Sequence, residues 1–169
     1  MTDPGELRRA PKPDLDLALT RARRPSPELS RFLYTAVGGN WYWIDRLAWT
    51  YEQWLDWQSR PGVETWVAYV EGTPAGYFEL DASSAGQVEL AYLGLLPAFV
   101  GQGLGGWLLS EALGRAWALG PDRVWVHTCT LDGPHALANY QARGMRVFDE
   151  VMAVQELDAE PPGAWPGAP

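Results

Sequence analysis

Apolar positions recur along this chain with two periods, one of three to four residues and one of two residues. The apolar residues between positions 29 and 37 repeat every three or four residues, which predicts a helix with one apolar face. Ser26-Pro27 supplies an N-cap and a first helical proline, and Gly38-Gly39 ends the helix. A second helix is predicted to begin at Thr50, which has Gln53 at capping-box spacing.

Other stretches alternate or form short apolar runs between glycine, proline and polar residues, which predicts strands. The turn at 71–76 joins two of them as a hairpin. Helix-forming stretches that end at Ala118 and Arg143 separate the last three strands. The strands are predicted at 14–23, 65–70, 77–80, 87–95, 123–130 and 146–157, the last as one strand or two.

Glycines are concentrated where the strand at 87–95 gives way to the helix that ends at Ala118. Glycines at a strand-to-helix turn let backbone N–H groups surround an anion, and the positive end of the helix dipole faces the same place. The loop therefore predicts a site for a phosphorylated ligand such as a pyrophosphate, with a plain surface turn as the alternative. The glycines are Gly101, Gly103, Gly105 and Gly106.

Three of these glycines also satisfy the G-x-G-x-x-G pattern of dinucleotide-binding folds. That pattern requires an acidic residue at the end of the next strand, about 20 residues further on, to hold a ribose. Here Asp122 precedes the next strand and Asp132 lies beyond it. The loop also follows an antiparallel hairpin instead of opening a parallel unit, so a dinucleotide site is disfavoured.

Two segments, in this order, resemble the motifs of the GNAT superfamily of acyl-CoA-dependent N-acetyltransferases. Residues 100–105 are similar to its Gln/Arg-x-x-Gly-x-Gly/Ala loop, with Val100 at the position of the usual Gln or Arg. Residues 131–145 are similar to its N-x-x-A-x-x-x-Y-x-x-x-G-F motif. Ala136, Tyr140 and Gly144 match this second motif, whereas Gly133 and Met145 depart from it.

The resemblance covers about residues 14–157 and implies an α/β (α+β) fold. In the GNAT fold a mixed, mostly antiparallel sheet of six to seven strands has helices on both faces. The fourth and fifth strands are parallel and splay apart, and the acyl-pantetheine lies in the gap. The loop would hold the coenzyme A pyrophosphate, with backbone N–H groups near Leu93 and Leu95 on the thioester carbonyl. The loop positions are Val100, Gly101, Gln102, Gly103, Leu104, Gly105 and Gly106.

Acetyl transfer to an amine needs a base for the ammonium and an acid for the leaving thiolate. The resemblance places Glu89, eleven residues before Val100, as the base, although a surface glutamate on a half-exposed strand is equally consistent. Alternation along this strand predicts that Tyr92 lies on the opposite face from Glu89. The same resemblance makes Tyr140 the acid, with a plain core role as the alternative. His127 or an ordered water remains open as the base.

An aromatic-rich segment between the first two helices occupies the position that walls the acceptor site in GNAT proteins. Aromatic faces attract cationic or aromatic amines, yet the same rings could fill space between helix and sheet. We expect acceptor contacts from Trp41, Trp43, Asp45 and Trp49, with His127 on a neighbouring strand.

The expected reaction is direct attack of a primary amine, on a small molecule or an exposed amino group, on acetyl-CoA in a ternary complex. A non-catalytic acyl-CoA-binding or sensing module of the same fold remains the alternative, because Val100 and Gly133 depart from the pattern. The formal net charge of −8 among 169 residues argues against nucleic-acid binding.

No apolar stretch is long enough to span a membrane and no secretory leader is evident, so a cytoplasmic protein without membrane contact is expected. One cysteine and two separated histidines predict no metal site. A homodimer is left open. Residues 1–13 and 158–169 are predicted to be flexible tails around one domain at 14–157.

Overall fold

Five strands form one sheet in the order β1-β2-β3-β4-β5 in the computed structural model, which describes residues 1–165 and 167. The first four strands pair antiparallel with their neighbours, and β4 and β5 pair parallel. The predicted mixed, mostly antiparallel sheet is confirmed, but it has five strands instead of six to seven. The strands are β1 Leu17–Ala22, β2 Val63–Val70, β3 Thr73–Asp81, β4 Gln87–Leu95 and β5 Arg123–Val126.

The missing strands are those predicted after Val126. β5 ends there because the Asp132 carboxylate accepts hydrogen bonds from the Thr128 hydroxyl and the Cys129 backbone N–H, which folds the chain into a turn. Residues 146–157 form no strand, and Met152 is 97% exposed. Alternating apolar residues predict a strand only where a partner edge is available, and β5 offers an edge of four residues.

Four helices cover the sheet, two on each face. The Ser26 side chain accepts a hydrogen bond from the Leu29 N–H, and the predicted capping box between Thr50 and Gln53 is present. The first two helices lie on one face, and the last two lie on the other. The helices are α1 Pro27–Gly38, α2 Tyr51–Gln58, α3 Leu104–Ala118 and α4 Ala136–Ala142.

The larger core lies between the sheet and α3. Phe78, Leu90 and Val124 point from three neighbouring strands towards Leu108 and Leu113 of α3, and all five are almost fully buried. Burying side chains of this size contributes about 1.5–3 kcal/mol each. The smaller core lies under α1 and is aromatic, so the two faces of the sheet have different chemistry.

A β-bulge in β4 decides which residues share the α1 and α2 face. Leu80 pairs with Leu90, but Glu79 pairs with Tyr92, so Ala91 is an extra residue. Simple alternation along the strand predicted that the Tyr92 side chain would lie on the other face of the sheet from Glu89. That prediction is wrong, because the extra residue returns Tyr92 to the face of Glu79 and Glu89.

The N-terminal segment is docked against α3 and β5, where the sequence predicted a loose tail. Met1 and Val124 exchange two backbone hydrogen bonds of 2.9 Å each. The Ala10 N–H donates to the Ser110 hydroxyl at 2.8 Å. These bonds tie residues 1–13 to the domain, although the domain boundaries at 14 and 157 stay predictions.

The C-terminal segment crosses the end of α1. The Gly163 N–H donates to the Gly39 carbonyl at 3.0 Å, and the Tyr42 hydroxyl donates to the Asp158 carbonyl at 3.2 Å. Of the predicted tail at 158–169, residues 166, 168 and 169 lie outside the described residues. In residues 1–165 and 167, no helix has the length and hydrophobicity that crossing a bilayer requires.

Candidate functional site

The gap between β4 and β5 opens where the two strands stop pairing. Their parallel register ends at Leu90 and Val126, and β4 continues to Leu95. In the described part of the chain, no strand pairs with this last half of β4 on its β5 side. Leu93 and Leu95 lie on this half, so its outer edge offers backbone groups to a ligand.

The glycine loop follows β4 directly and leads into α3. Gly101 and Gly103 have φ angles of +84° and +77°, in the left-handed region, and a Cβ at either residue would meet open space. Gly103 is the N-cap of α3 and supplies no side-chain oxygen. The first N–H groups of α3 therefore have no capping side chain, which is the geometry that binds a phosphate at a helix N-terminus.

The remaining loop residues act mainly through their backbone. Val100 is 58% exposed, whereas Leu104 is buried in the core. The Gln102 side chain donates to the Ala98 carbonyl at 2.9 Å, which braces the loop. Gly105 accepts a hydrogen bond from the Asn139 side chain at 3.2 Å, which fixes α4 beside the start of α3.

Gly106, the last predicted loop residue, lies in the first turn of α3, beside the Arg143 guanidinium. A Cβ there would lie 2.5 Å from a guanidinium nitrogen, so the end of the Arg143 side chain would have to shift. The shape of the loop therefore depends on the positive φ angles of Gly101 and Gly103 and on their lack of side chains. The predicted pyrophosphate site would lie at the uncapped N–H groups where this loop enters α3.

Glu89 lies on the α1 and α2 face of β4, opposite Asp81 of β3 and beside Trp125 of β5. Burial raises the pKa of the Glu89 carboxyl, and the negative charge of Asp81 raises it further. His127 and Arg46 act in the opposite direction. A half-buried carboxylate with a raised pKa suits a general base near neutral pH.

Tyr140 lies on α4, in the core cluster with α3. Burial raises the pKa of its phenol well above the usual range, and Asp132 adds to the increase. A phenol that holds its proton this firmly is available as a proton donor over the physiological range. Tyr140 packs with the core on the α3 face of the sheet, whereas Glu89 lies on the other face.

The predicted acceptor residues do not form one wall. Trp43 packs into the smaller core, with its ring centroid 4.9 Å from Tyr92 and 5.6 Å from Tyr34. The Trp41 ring lies beside Gly133, where a Cβ would be 3.6 Å away. Trp49 packs instead on the rings of α2, and the Asp45 side chain is exposed.

His127 is also exposed and lies just beyond the end of β5. The charge of His127 lowers the pKa of the Glu89 carboxyl. The place of His127 in the acceptor site stays a prediction.

Arg46 and Glu79 form a buried ion pair on this face that the sequence did not predict. One guanidinium nitrogen lies 2.8 Å from the Glu79 Oε1 atom, which also accepts a hydrogen bond of 2.9 Å from the Trp57 indole. Burial raises the pKa of the Glu79 carboxyl, and Arg46 counteracts this. The one available signal was a glutamate inside an apolar strand, at residues 77–80.

In residues 1–165 and 167, no group of three potential metal ligands is close enough to hold an ion. A cavity of about 960 Å³ lies between β1 and the C-terminal end of α3. None of the predicted site residues lines this cavity, so it is separate from the gap between β4 and β5.

Known proteins share the sequence pattern and the fold of this chain. Residues 28–145 match the family model described as acetyltransferase (GNAT) family. A search of curated protein sequences returned no match. The similarities to solved structures given next are all below 25% identity, so they show the fold alone.

One similar structure is an aminoglycoside acetyltransferase from an uncultured soil metagenomic sample in complex with trehalose (15% identity, 83% of this chain, 95% of that chain, TM-score 0.65). Another is aminoglycoside N-acetyltransferase AAC(6')-Iy in complex with CoA (16% identity, 87% and 98% covered, TM-score 0.58). A third is a GNAT-family acetyltransferase from Streptococcus pneumoniae (19% identity, 85% and 99% covered, TM-score 0.59).

Proposed function

Because the chain belongs to the GNAT family of acetyltransferases, we propose that it transfers an acetyl group from acetyl-CoA to the primary amine of a small cationic molecule. The observation that carries this proposal is the continuity of β4 with the glycine loop. The open edge of β4 at 91–95 runs directly into the uncapped start of α3. A thioester on that edge and a pyrophosphate on that helix would be two parts of one extended ligand.

The acceptor would approach from the α1 and α2 face, where Glu89 takes a proton from its ammonium group. The freed nitrogen then attacks the thioester carbonyl carbon, and the developing oxyanion is stabilised by backbone N–H groups of β4 near Leu93 and Leu95. As the C–S bond breaks, the Tyr140 phenol donates its proton to the thiolate. The acylated nitrogen then gives its surplus proton to the Tyr140 phenolate, and Glu89 releases its proton to solvent. The products are an acetamide, free coenzyme A and one proton.

Charge supports a cationic acceptor. Glu79, Asp81 and Glu89 lie on one face of two neighbouring strands, and only Arg46 is paired with them by an ion pair in the described residues. The protein as a whole has a net charge of −8, which attracts cations at long range. Two of the similar structures are aminoglycoside acetyltransferases, which is consistent with a small acceptor that carries amines.

A thiol-release assay with acetyl-CoA and a panel of small amines tests the proposal. We expect release of free coenzyme A that depends on the amine. Glu89→Gln should lower turnover by about 10²-fold or more while coenzyme A still binds. Glu150→Gln, at an exposed glutamate outside the site, is the matched control and should leave turnover unchanged.

Coenzyme A binding without turnover by any amine would instead assign the chain to a non-catalytic acyl-CoA-binding module. Near-normal turnover in Glu89→Gln would transfer the base role to His127 or to an ordered water. A cytoplasmic location and a homodimer stay predictions alongside this proposal.

A further inference from the structure

The Arg46 guanidinium lies inside a box made by three aromatic rings and one carboxylate. Its Cζ atom is 4.2 Å from the ring centroid of Trp57, 4.4 Å from that of Tyr92 and 4.6 Å from that of Trp49. Glu79 closes the base of the box through the 2.8 Å ion pair. We call these four residues (Trp49, Trp57, Tyr92 and Glu79) the cation box.

The cation box has the composition of a binding site for an organic cation. Aromatic faces around a guanidinium or ammonium, with one carboxylate behind them, are the arrangement by which proteins recognise such ligands. Glu79 is only 2% exposed, whereas Trp49, Trp57 and Tyr92 are half-buried. The box is therefore deep at the carboxylate and borders solvent at its rings.

The occupant of the box comes from an irregular segment. Arg46 lies between Tyr42, which has a left-handed φ of +55°, and the cap of α2 at Thr50. The segment is held by turn hydrogen bonds, from Leu47 to Ile44 and from Trp49 to Arg46, and belongs to no helix or strand. The Arg46 side chain can therefore leave the cation box without breaking hydrogen bonds of a helix or of the sheet.

We propose that the cation box is a binding site for a guanidinium or ammonium group of a ligand, and that Arg46 is an internal occupant which this group displaces. The exchange conserves charge, because the incoming cation replaces the Arg46 guanidinium on the buried Glu79 carboxylate. Without such a replacement, departure of Arg46 would leave a buried carboxylate unpaired, which is strongly unfavourable. We therefore expect one cation or the other to occupy the box for most of the time.

The position of the cation box suggests a role in binding the acceptor for acetyl transfer. This role rests on the proposed function, whereas cation binding in the box does not. Tyr92 belongs to the box, and the bulge at Ala91 places it on the same face as Glu89. An acceptor with two cationic groups could place one in the box and present the other, as the amine to be acetylated, at Glu89. Arg46 would then be a competitor that excludes weakly binding amines.

The indole of Trp54 supplies an independent observation. Trp54 is almost fully buried, its ring lies 5.1 Å from that of Trp49, and Arg46 lies 5.8 Å from its centroid. Its Nε1–H has no hydrogen-bond partner in the described part of the chain. A guanidinium or ammonium group has no acceptor for this N–H, so only an acceptor elsewhere on the same ligand could satisfy it.

Binding of ethylguanidinium to the full-length protein, followed by tryptophan fluorescence without acetyl-CoA, tests this inference. Arg46→Ala should bind ethylguanidinium at least about tenfold more tightly than wild type, since a box that is open for a tenth of the time loses that factor in apparent affinity. The added substitution Glu79→Gln, in Arg46→Ala/Glu79→Gln, should remove the gain.

Arg60→Ala is the matched control. The Arg60 guanidinium also lies over Trp57, at 4.7 Å, but it is exposed and makes no ion pair with Glu79. Its removal should leave the affinity for ethylguanidinium at the wild-type value. A gain in Arg60→Ala equal to that in Arg46→Ala would show binding to an exposed ring face and would overturn the proposal.

A folded Arg46→Ala variant that binds ethylguanidinium no more tightly than wild type also overturns it. Should this variant fail to fold, the indole N–H resonance of Trp57 in the wild-type protein decides the question. A saturable shift with ethylguanidinium that Glu79→Gln abolishes supports the exchange, and its absence refutes it. This binding test uses no acetyl-CoA and does not depend on catalysis. A failure to detect acetyl transfer in the separate thiol-release assay would therefore count only against the proposed function.

Discussion

Removal of the Arg46 guanidinium by Arg46→Met should destabilise the protein far more than removal of both charges. Methionine keeps much of the apolar stem and loses the charge. Glu79, which is 2% exposed, is then left as a buried carboxylate, and among the described residues the Trp57 indole is its one remaining side-chain hydrogen-bond donor. The aromatic rings of Trp49 and Tyr92 lose their cation as well.

The expected cost follows from this burial. Breaking one side of a buried ion pair costs about 3–5 kcal/mol, because the other charge stays uncompensated. In a domain of this size each kcal/mol lowers Tm by about 2–4 °C, so the melting temperature should fall by roughly 6–20 °C. In Arg46→Met/Glu79→Gln no charge remains, and the glutamine oxygen can still accept from Trp57. The double variant should recover more than half of the loss.

The loss should also depend on pH. Burial raises the pKa of Glu79, and the effect is larger once Arg46 no longer opposes it. A carboxyl whose pKa is raised on folding binds more protons folded than unfolded, so stability falls as pH rises through and above the ordinary glutamate range. The deficit of Arg46→Met should therefore be smallest near about pH 5 and largest near about pH 8. The double variant has no titrating carboxyl at position 79, so its stability should not fall with pH from this cause.

Urea unfolding at both pH values, with melting curves beside it, measures these effects. A deficit below about 1.5 kcal/mol in Arg46→Met, well short of the value for a buried pair, would refute the reasoning. A deficit of full size that is the same at both pH values would refute it as well. In that case lost packing, and not the unpaired carboxylate, would explain the destabilisation.

Three further predictions concern the proposed active site. Gly103→Leu should abolish the thermal shift produced by coenzyme A, whereas Gly72→Leu, which has the same φ of +77° and equally open space, should cost similar stability and keep that shift. Tyr140→Phe should lower turnover with coenzyme A binding retained, and unchanged turnover would make the residue plain core. In a plot of kcat/KM against pH, the activity should fall on the acidic side at a pH above the ordinary pKa of glutamate, because burial raises the pKa of Glu89. Asp81→Asn removes a nearby negative charge and should move this acidic limb to lower pH. A limb that does not respond to Asp81→Asn would disconnect it from Glu89.

The elements with strong local signals were predictable from the sequence. β4 has the predicted bounds, and α1 and α2 begin at the predicted caps Ser26 and Thr50. Capping and apolar periodicity act within a few residues, so the sequence displays them directly. Strand pairing depends on residues that are distant in the sequence, so no local pattern displays it. For this reason the sequence predicted a strand at 146–157 that the structure does not contain.

The site divides in the same way. The glycine loop was predictable because a positive φ has a local signature, and Gly101 and Gly103 have it. The bulge at Ala91 has no such signature, and the sequence therefore misplaced Tyr92. Arg46 and Glu79 are 33 residues apart and meet only through the fold, so their pairing was beyond any local pattern. The roles of Glu89 and Tyr140 stay predictions.

Under the proposed function the two faces of the sheet carry separate tasks, and β4 serves both. The glycine loop and Tyr140 belong with α3 and α4, whereas the cation box takes Trp49 and Trp57 from α2 and the segment before it, and Glu79 and Tyr92 from the opposite face of the sheet to α3. If this proposal holds, substitutions between residues 41 and 57 should alter which amine is accepted and should leave acetyl-CoA binding unchanged. Such a chain can acquire new acceptors by drift on one face while selection for the cofactor conserves the other.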